Sequence, residues 1–410
     1  MQQGQLFIPA MLLMFCLTAL PQEGRYLPDF TGKVKLPLDL RDPAQYHLSA
    51  VETNALRLNL QRLKDLLLVQ PALNPPRGVE VEGDIHIVWS SLCPEPPCPN
   101  VSVPSDAHAR FREYLEYQGK PAIVNEAVAI MDININDPEE TLGSYNSAGS
   151  MKNLKGRGVF FQLPKIGEIQ GYPLYRNYQA NLNILILTKS PKPYWLPLTQ
   201  EEFLQMKIRG TEEELAKMAK VSRDPAGDAY RQWIAEQPER EKTARGVYQE
   251  MKKTNPQMAE KFLEESKKGE ATVTEGLRKY MEKNPPQARF ALELDFERRL
   301  ARHKAVLAAM TPGQRQAQVR YFPSRDGIEP DLVPPDSKLG TPLVIANPNF
   351  MNPSLPRTAI QLIAVFFQYG PQFDPTRKDE GRDENPANLR LREMEQKSTW
   401  SAISSILSGP

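Results

Sequence analysis

Leucine residues follow a helical period in one early segment of the chain. Six of them recur at intervals near 3.6 residues, with charged residues between them. They are Leu56, Leu58, Leu60, Leu63, Leu66 and Leu67. Pro71 ends this pattern, because proline cannot continue a helix. The segment is therefore predicted to form an amphipathic helix.

Downstream, apolar and polar residues alternate with the period of two that is typical of β-strands. The runs "DIHIVWSS", "AIMDININ", "GVFFQL", "IQGYPLY" and "ANLNILILTK" show it, while "ARFREYLEYQG" fits a helix or a strand. From Leu182 to Thr188 both faces are largely apolar, which predicts a central strand that is covered on both sides. The polar, glycine-containing run "GSYNSAGSMKNLKGRG" is predicted to be a loop.

A boundary follows these strands. Pro193 and Pro197 cannot donate hydrogen bonds to a neighbouring strand, so the sheet pattern ends there. Thr199 and Glu202 have the spacing of a capping box, which predicts a helix that begins at Gln200.

The next segment is strongly charged. Between Glu201 and Lys304, 42 of 104 residues are Asp, Glu, Lys or Arg, against 25% for the whole chain. Proline follows Asp224 and Asn255, as expected where helices begin. We predict a string of helices with solvated faces, and a partner-binding arm is the alternative interpretation.

Two apolar runs return after Thr311. "PLVIANPNF" and the run from Ala359 to Tyr369 need a partner surface that the charged helices lack. The second run is predicted to be a strand, with a buried helix as the alternative. The last residues, "STWSAISSILSG", are expected to dock as a helix through Trp400, Ile403 and Ile406.

These patterns together predict an α+β protein. It has an N-terminal helix plus an antiparallel sheet, a charged all-helical insertion, and a C-terminal segment that returns to the sheet domain. The predicted bounds are a signal peptide at 1–20, the sheet domain at 21–198, the helical insertion at 199–310 and the returning segment at 311–410.

The first residues indicate export. The apolar run from Leu6 to Leu20 is too short to span a membrane and resembles the core of a signal peptide, although no Lys or Arg precedes it. A buried N-terminal helix is the alternative. We therefore expect a secreted or periplasmic protein with no transmembrane span in the mature chain.

Cysteine usage agrees with this location. Loss of the signal peptide removes Cys16 and leaves Cys93 and Cys98, which are predicted to form a disulfide in an oxidising compartment. A zinc site needs four ligands, and no second Cys/His pair has the required spacing. Free thiols are the remaining possibility.

Charge and motifs exclude several classes of protein. Lys plus Arg number 51 against 50 Asp plus Glu, so no basic surface for nucleic acid is indicated. No nucleophile elbow, phosphate-binding loop, dinucleotide-binding motif or zinc-protease motif is present. The four histidines, His47, His86, His108 and His303, are scattered, and neither a metal nor a cofactor is predicted.

Two sets of residues, one polar and one mainly aromatic, are candidates for binding. Asp132, Asn134, Asn136 and Asp137 carry oxygen ligands that suit calcium, but a solvent-facing strand that ends in a turn explains the same residues and is the favoured interpretation. The candidate ligand-binding residues are Tyr172, Tyr175, Arg176, Tyr194 and Trp195. Such aromatic residues usually pack against a sheet, but they can also form a recognition surface.

The sequence therefore favours an exported, non-catalytic protein that binds an unknown protein or small-molecule ligand. The alternative is a hydrolase whose site assembles distant acidic residues and a histidine. An enzyme should have a deep pocket in which one titratable group is perturbed and held by a second, whereas a binder should expose a broad apolar or aromatic patch.

Overall fold

The chain divides into two compact units. The computed structural model describes residues 25–41, 46–88, 102–143, 147–152, 156–178, 180–221, 223–285, 291–321, 339–370 and 385–409. The sheet unit comprises Met1–Leu198 and Gln318–Pro410, and the helical unit comprises Thr199–Ala317. The predicted signal peptide at 1–20 and the predicted Cys93–Cys98 disulfide lie outside the described residues.

Helices occur in both units. Those of the described residues are α1 (Ala50–Leu68), α2 (Pro138–Gly143), α3 (Gln200–Met218), α4 (Pro225–Ala235), α5 (Gln237–Thr254), α6 (Pro256–Lys283), α7 (Ala291–Ala309), α8 (Pro312–Gln316), α9 (Pro386–Lys397) and α10 (Trp400–Ser404). Helices α3 to α8 belong to the helical unit, and the other four belong to the sheet unit.

All the strands belong to the sheet unit in the described part of the chain. They are β1 (Arg25–Tyr26), β2 (Val34–Lys35), β3 (Leu38–Asp39), β4 (Val79–Ile87), β5 (Ser105–Tyr117), β6 (Lys120–Ile123), β7 (Ala129–Ile135), β8 (Ser147–Lys152), β9 (Gly158–Phe161), β10 (Lys165–Ile169), β11 (Tyr172–Asn177), β12 (Leu182–Thr188), β13 (Trp195–Pro197), β14 (Arg320–Tyr321), β15 (Thr341–Ala346) and β16 (Leu362–Gln368).

These strands form two sheets. The larger has the order β10-β11-β12-β16-β7-β5-β4-β2, with β1 and β6 paired to β5 and β3 paired to β4. The smaller has the order β13-β15-β9-β8, with β14 paired to β15. Neighbouring strands are antiparallel except where β2 and β3 run parallel to β4. The predicted α+β class is confirmed.

The C-terminal segment returns to the middle of the larger sheet. Strand β16 pairs with β12 on one side and with β7 on the other, so Ile363 lies opposite both Leu187 and Ile135. The interpretation of Ala359–Tyr369 as a strand is therefore confirmed, as is the central position of Leu182–Thr188. Both strands are buried along almost their whole length.

One predicted loop is wrong in part. Residues Ser147–Lys152 form β8, which pairs with β9 at the edge of the smaller sheet. Backbone pairing there outweighs the polar, glycine-containing composition from which a loop was expected. The ambiguous run that contains Phe111 is a strand, because it lies inside the 13-residue β5.

One face of the larger sheet packs against α1, α9 and α10. The predicted amphipathic helix is confirmed as α1, which begins with a capping box between Ser49 and Glu52. Leu58 is exposed, and the leucines that α1 buries in this core are Leu56, Leu60, Leu63 and Leu67. Trp400, Ile403 and Ile406 are also buried, so the predicted docking of the last helix is confirmed.

The opposite face of the larger sheet is divided. Its apolar half, formed by β12 and β16, packs against the smaller sheet in a second core that contains Ile184, Phe366, Tyr194 and Val344. Its other half, formed by β4, β5 and β7, carries polar side chains at the alternate positions. This division positions the candidate site described below.

Helices of the helical unit begin where the sequence predicts them to begin. Thr199 and Glu202 form the capping box before α3, and the side chains of Asp224 and Asn255 cap α4 and α6. Few of its hydrophobic residues are buried, and its surface carries many ion pairs between residues three or four apart.

The sheet unit should fold without the helical unit. Both hydrophobic cores consist of residues from the sheet unit, and Leu198 O accepts a hydrogen bond of 2.9 Å from Val319 N. Because these two residues are adjacent, a Gly-Ser-Gly turn can replace Thr199–Ala317. We expect the shortened chain to unfold cooperatively in urea, as followed by circular dichroism. A control chain that stops at Gly340 loses β16 and should not fold, and an unfolded Gly-Ser-Gly variant would contradict the independence of the sheet unit.

Candidate functional site

The polar half of the larger sheet brings together histidines and carboxylates that are distant in sequence. Asp84 lies opposite His108, and His108 lies opposite Asp132. One step along the strands, His86 lies opposite Asp106, and Asp106 lies opposite Asn134. Imidazole and carboxyl groups therefore alternate across β4 and β5, and β7 adds the carboxyl of Asp132 and the amide of Asn134.

These side chains line a cavity of about 540 Å³. Its lining residues are Asp84, His86, Asp106, His108, Arg110, Asp132, Asn134, Glu140 and Phe366. A cavity of this size is within the range of small-molecule sites, which is roughly 300–1,000 Å³. Phe366 comes from β16, so the cavity borders on the second core.

The turn after β7 brings Glu140 to this cavity. Asn136 adopts a positive φ of 59°, and its buried amide donates a hydrogen bond of 2.9 Å to Ala359 O. Asp137 Oδ1 then accepts hydrogen bonds from the backbone N–H groups of Glu139 and Glu140, at 3.1 and 2.9 Å. These contacts cap α2 and fix the position of Glu140.

The expectation that Asp132, Asn134 and Asn136 share one strand face is wrong at Asn136. The chain leaves the strand there, and the side chains of Asn136 and Asp137 are buried in the turn. Only Asp132 and Asn134 of this set reach the cavity. Within the described ranges, no group of three or more His, Cys, Asp or Glu side chains is arranged to hold a metal ion.

His108 lies between two charged partners. Its Nδ1 is within hydrogen-bond distance of Asp132 Oδ1, and its Nε2 accepts a hydrogen bond of 2.7 Å from Arg110 Nε. On the neighbouring strand, His86 Nδ1 lies 3.1 Å from Asp84 Oδ2. Each imidazole therefore has an acidic neighbour on this face.

Asp106 is the perturbed group of the cavity. Burial, together with the negative charges of Glu140, Asp132 and Asp137, raises its pKa to about 7 against an opposing effect of His108. Its Oδ1 is buried and has no hydrogen-bond partner among the described residues. A carboxyl in this environment gains or loses a proton near neutral pH.

Glu82 lies on the same face, but its pKa is lowered rather than raised. Hydrogen bonds from Lys35 at 2.8 Å and from Arg112 at 2.6 Å lower the pKa of Glu82 to about 2. Glu82 is therefore an ionised structural group at neutral pH. No comparable ion pair lowers the pKa of Asp106 within the described residues, and this difference makes Asp106 the candidate acid–base group of the face.

The five candidate ligand-binding residues lie elsewhere. Tyr172 OH bonds to Ser404 Oγ at 2.5 Å, and Arg176 donates a hydrogen bond of 2.8 Å to Asn183 Oδ1. Tyr194 is buried and donates to Pro138 O, and the ring of Trp195 packs edge-on against the rings of Tyr175 and Tyr194. None of the five lines the cavity, so ligand binding at them stays a prediction.

Asp84, Asp106 and Arg110 were not among the residues predicted from the sequence, and His86 and His108 were expected to be scattered. A signal was nevertheless present. In "DIH" and in "DAHAR" the polar residues occupy every second position, which places them on one face of a strand. The strand register that unites the two runs cannot be read from either run alone.

Comparison with protein-family models, with curated proteins and with solved structures finds no match to this chain. Functional assignment therefore rests on the chemistry of the cavity. In the part of the chain that the structure describes, no helix is both long enough and apolar enough to cross a membrane.

The pKa of Asp106 predicts a pH-dependent stability. Its ordinary value is 3.8, so between about pH 4 and 7 the unfolded chain has lost the proton while the folded chain retains it. Folded stability must fall as the pH rises through this window, by at most about 4 kcal/mol. Asp106→Asn lacks this titration, so its free energy of unfolding should not fall in this way. The difference in free energy of unfolding, variant minus wild type, should therefore be more favourable to the variant at pH 8 than at pH 5, as measured by urea denaturation.

Glu82→Gln is the matched control for this measurement. The pKa of Glu82 is lowered, so its ion pairs are present at both pH 5 and pH 8 and its loss should cost the same at both. An Asp106→Asn variant whose stability difference from the wild type is equal at the two pH values would show that Asp106 is ionised throughout.

Proposed function

We propose that the protein is a hydrolase that uses carboxyl groups for acid–base catalysis at the cavity on β4, β5 and β7. The observation that carries the proposal is the carboxyl group of Asp106, which lines a cavity together with other carboxylates and has a pKa of about 7. A catalytic acid works best when its pKa is close to the working pH. A hydrolase is also the alternative function that the sequence left open.

In this proposal Asp106 is the catalytic acid and Glu140 is the catalytic base. Protonated Asp106 gives its proton to the leaving group, while the carboxylate of Glu140 takes a proton from water. The water oxygen then bonds to the carbon from which the leaving group departs. A final proton transfer from Glu140 to Asp106 restores the starting state. Glu140 is assigned as the base because it lines the same cavity and its electrostatic effect on the pKa of Asp106 is the strongest among the neighbouring carboxylates.

The charge of the lining limits the substrate. Asp84, Asp132 and Glu140 bring negative charge from three different elements, and Arg110 is the cation of the lining. Such a surface repels phosphate esters and other anions and favours neutral or cationic substrates. The proposed export of the protein suits a small polar substrate that is met outside the cytoplasm.

A second candidate is a binding protein without catalysis. The observation that favours it is the hydrogen bond from Arg110 to His108 Nε2, which occupies the nitrogen that an imidazole base would use. In this proposal the same cavity holds a neutral or cationic small molecule without turnover.

Hydrolysis can be tested with chromogenic substrates of different charge. We expect turnover of a neutral glycoside, a neutral ester or a cationic aminoacyl amide, and none of a phosphate monoester. The rate should decline above about pH 7, because Asp106 must be protonated. Asp106→Asn and Glu140→Gln should each lower kcat by about 10²-fold or more.

Glu168→Gln is the control variant, because Glu168 is exposed and pairs with Lys165 away from the cavity. It should leave kcat unchanged. Calorimetric binding of these substrates without turnover would reject the hydrolase and favour the binding protein.

A further inference from the structure

We propose that Arg110 is a positioning residue, which acts through His108 to fix the carboxylate of Asp132 beside Asp106. The inference rests on the proposed hydrolase function, in which Asp106 is the acid. The three linked side chains lie on neighbouring positions of one sheet face, with Arg110 and His108 on β5 and Asp132 on β7.

The identity of the donor settles where the proton of the imidazole lies. A guanidinium group remains protonated at any physiological pH, so Arg110 Nε can only donate. His108 Nε2 must therefore accept in the 2.7 Å hydrogen bond. The ring proton is then on Nδ1 and points to Asp132 Oδ1, which accepts it as a carboxylate.

This arrangement keeps a proton away from His108 Nε2. The carboxylate of Asp132 would by itself favour a charged imidazolium, and Arg110 opposes that by occupying Nε2. Other titratable groups face the same cavity, namely Asp84 and His86 on β4, Asp106 on β5 and Glu140 on α2. A charged His108 would lower the pKa of Asp106, whereas a neutral His108 leaves the negative charges of Glu140, Asp132 and Asp137 uncompensated, so Asp106 keeps its proton.

Removal of Arg110 distinguishes the positioning role from a direct effect of the Arg110 charge on Asp106. If Arg110 acted only as a nearby cation, its removal would stabilise the protonated form of Asp106 and raise the pKa of Asp106. In the positioning role, removal leaves His108 Nε2 without its hydrogen-bond donor, so the imidazole can become charged. The new positive charge then stabilises the carboxylate of Asp106 and lowers its pKa. The two explanations predict shifts of opposite sign.

The test uses the full chain in two NMR measurements. Selective ¹⁵N labelling of histidine reports which ring nitrogen of His108 carries the proton, with His108→Gln for assignment. Labelling of the aspartate carboxyl carbons reports the titration of Asp106, with Asp106→Asn for assignment. In the wild type we expect His108 protonated at Nδ1 alone and a titration midpoint of Asp106 at or above about 7, because a neutral His108 does not lower it.

Arg110→Met should place a proton on His108 Nε2 at pH 7 and lower the midpoint of Asp106. A fall of one pH unit would reduce the protonated fraction of Asp106 above the midpoint about tenfold, and kcat should fall in proportion at pH 8 with little change in KM. Arg112→Met is the matched control. Arg112 lies two residues away on the same strand and pairs with Glu82, so its loss should leave the His108 tautomer unchanged.

Each outcome decides between the explanations. A raised midpoint in Arg110→Met, or a His108 ring that stays protonated at Nδ1 alone, would overturn the positioning role. The NMR measurements need no substrate, so they can succeed in a protein that hydrolyses nothing. In that case the hydrolase proposal would fail while the linkage of Arg110, His108 and Asp132 would stand.

Discussion

The rest of the sheet unit depends on the insertion of β16 between β12 and β7. The two faces of β16 contribute to different cores. Ile363, Val365 and Phe367 pack in the core with α1, α9 and α10. Leu362, Ala364 and Phe366 pack in the core with the smaller sheet. Burial of so many large side chains is the main source of free energy for this arrangement. Because β16 joins β12 to β7, it also unites the apolar half of the sheet with the half that carries the cavity.

The smaller sheet determines the character of the cavity by covering only one half of a face. Beside it, the strands β4, β5 and β7 keep polar side chains, but they border a low-dielectric core through Phe366. Farther from that border, Glu82 is paired with Lys35 and Arg112 and stays ionised. Next to the border, Asp106 is partly desolvated among other carboxylates and retains its proton. One sheet face thus carries a structural carboxylate and a titrating carboxyl.

A buried polar network attaches α9 to the same sheet. Glu395 accepts hydrogen bonds from Asn183 Nδ2 at 3.1 and 3.0 Å and from Tyr369 OH, and burial raises the pKa of Glu395. Arg176 donates to Asn183 Oδ1 and extends this network along β11 and β12. Each of these four side chains makes a hydrogen bond with another member, although Arg176 Nε has no partner among the described residues. Arg176 therefore has a structural role that its position in an aromatic run did not indicate.

The sequence by itself determined the elements that local periodicity specifies. The leucine pattern of α1, the capping box at Thr199 and the two-faced apolar pattern of β12 and β16 each follow from residues within a few positions of one another. The return of the C-terminal segment also followed, because its apolar side chains had no other surface to cover. The tertiary structure alone decided which polar residues meet. His86, His108 and Asp132 are separated by 20 or more residues in sequence, and the register of β4, β5 and β7 places them side by side. Strand register depends on pairing across the whole sheet, and the shift in the pKa of Asp106 depends on burial, so neither is encoded in a local pattern.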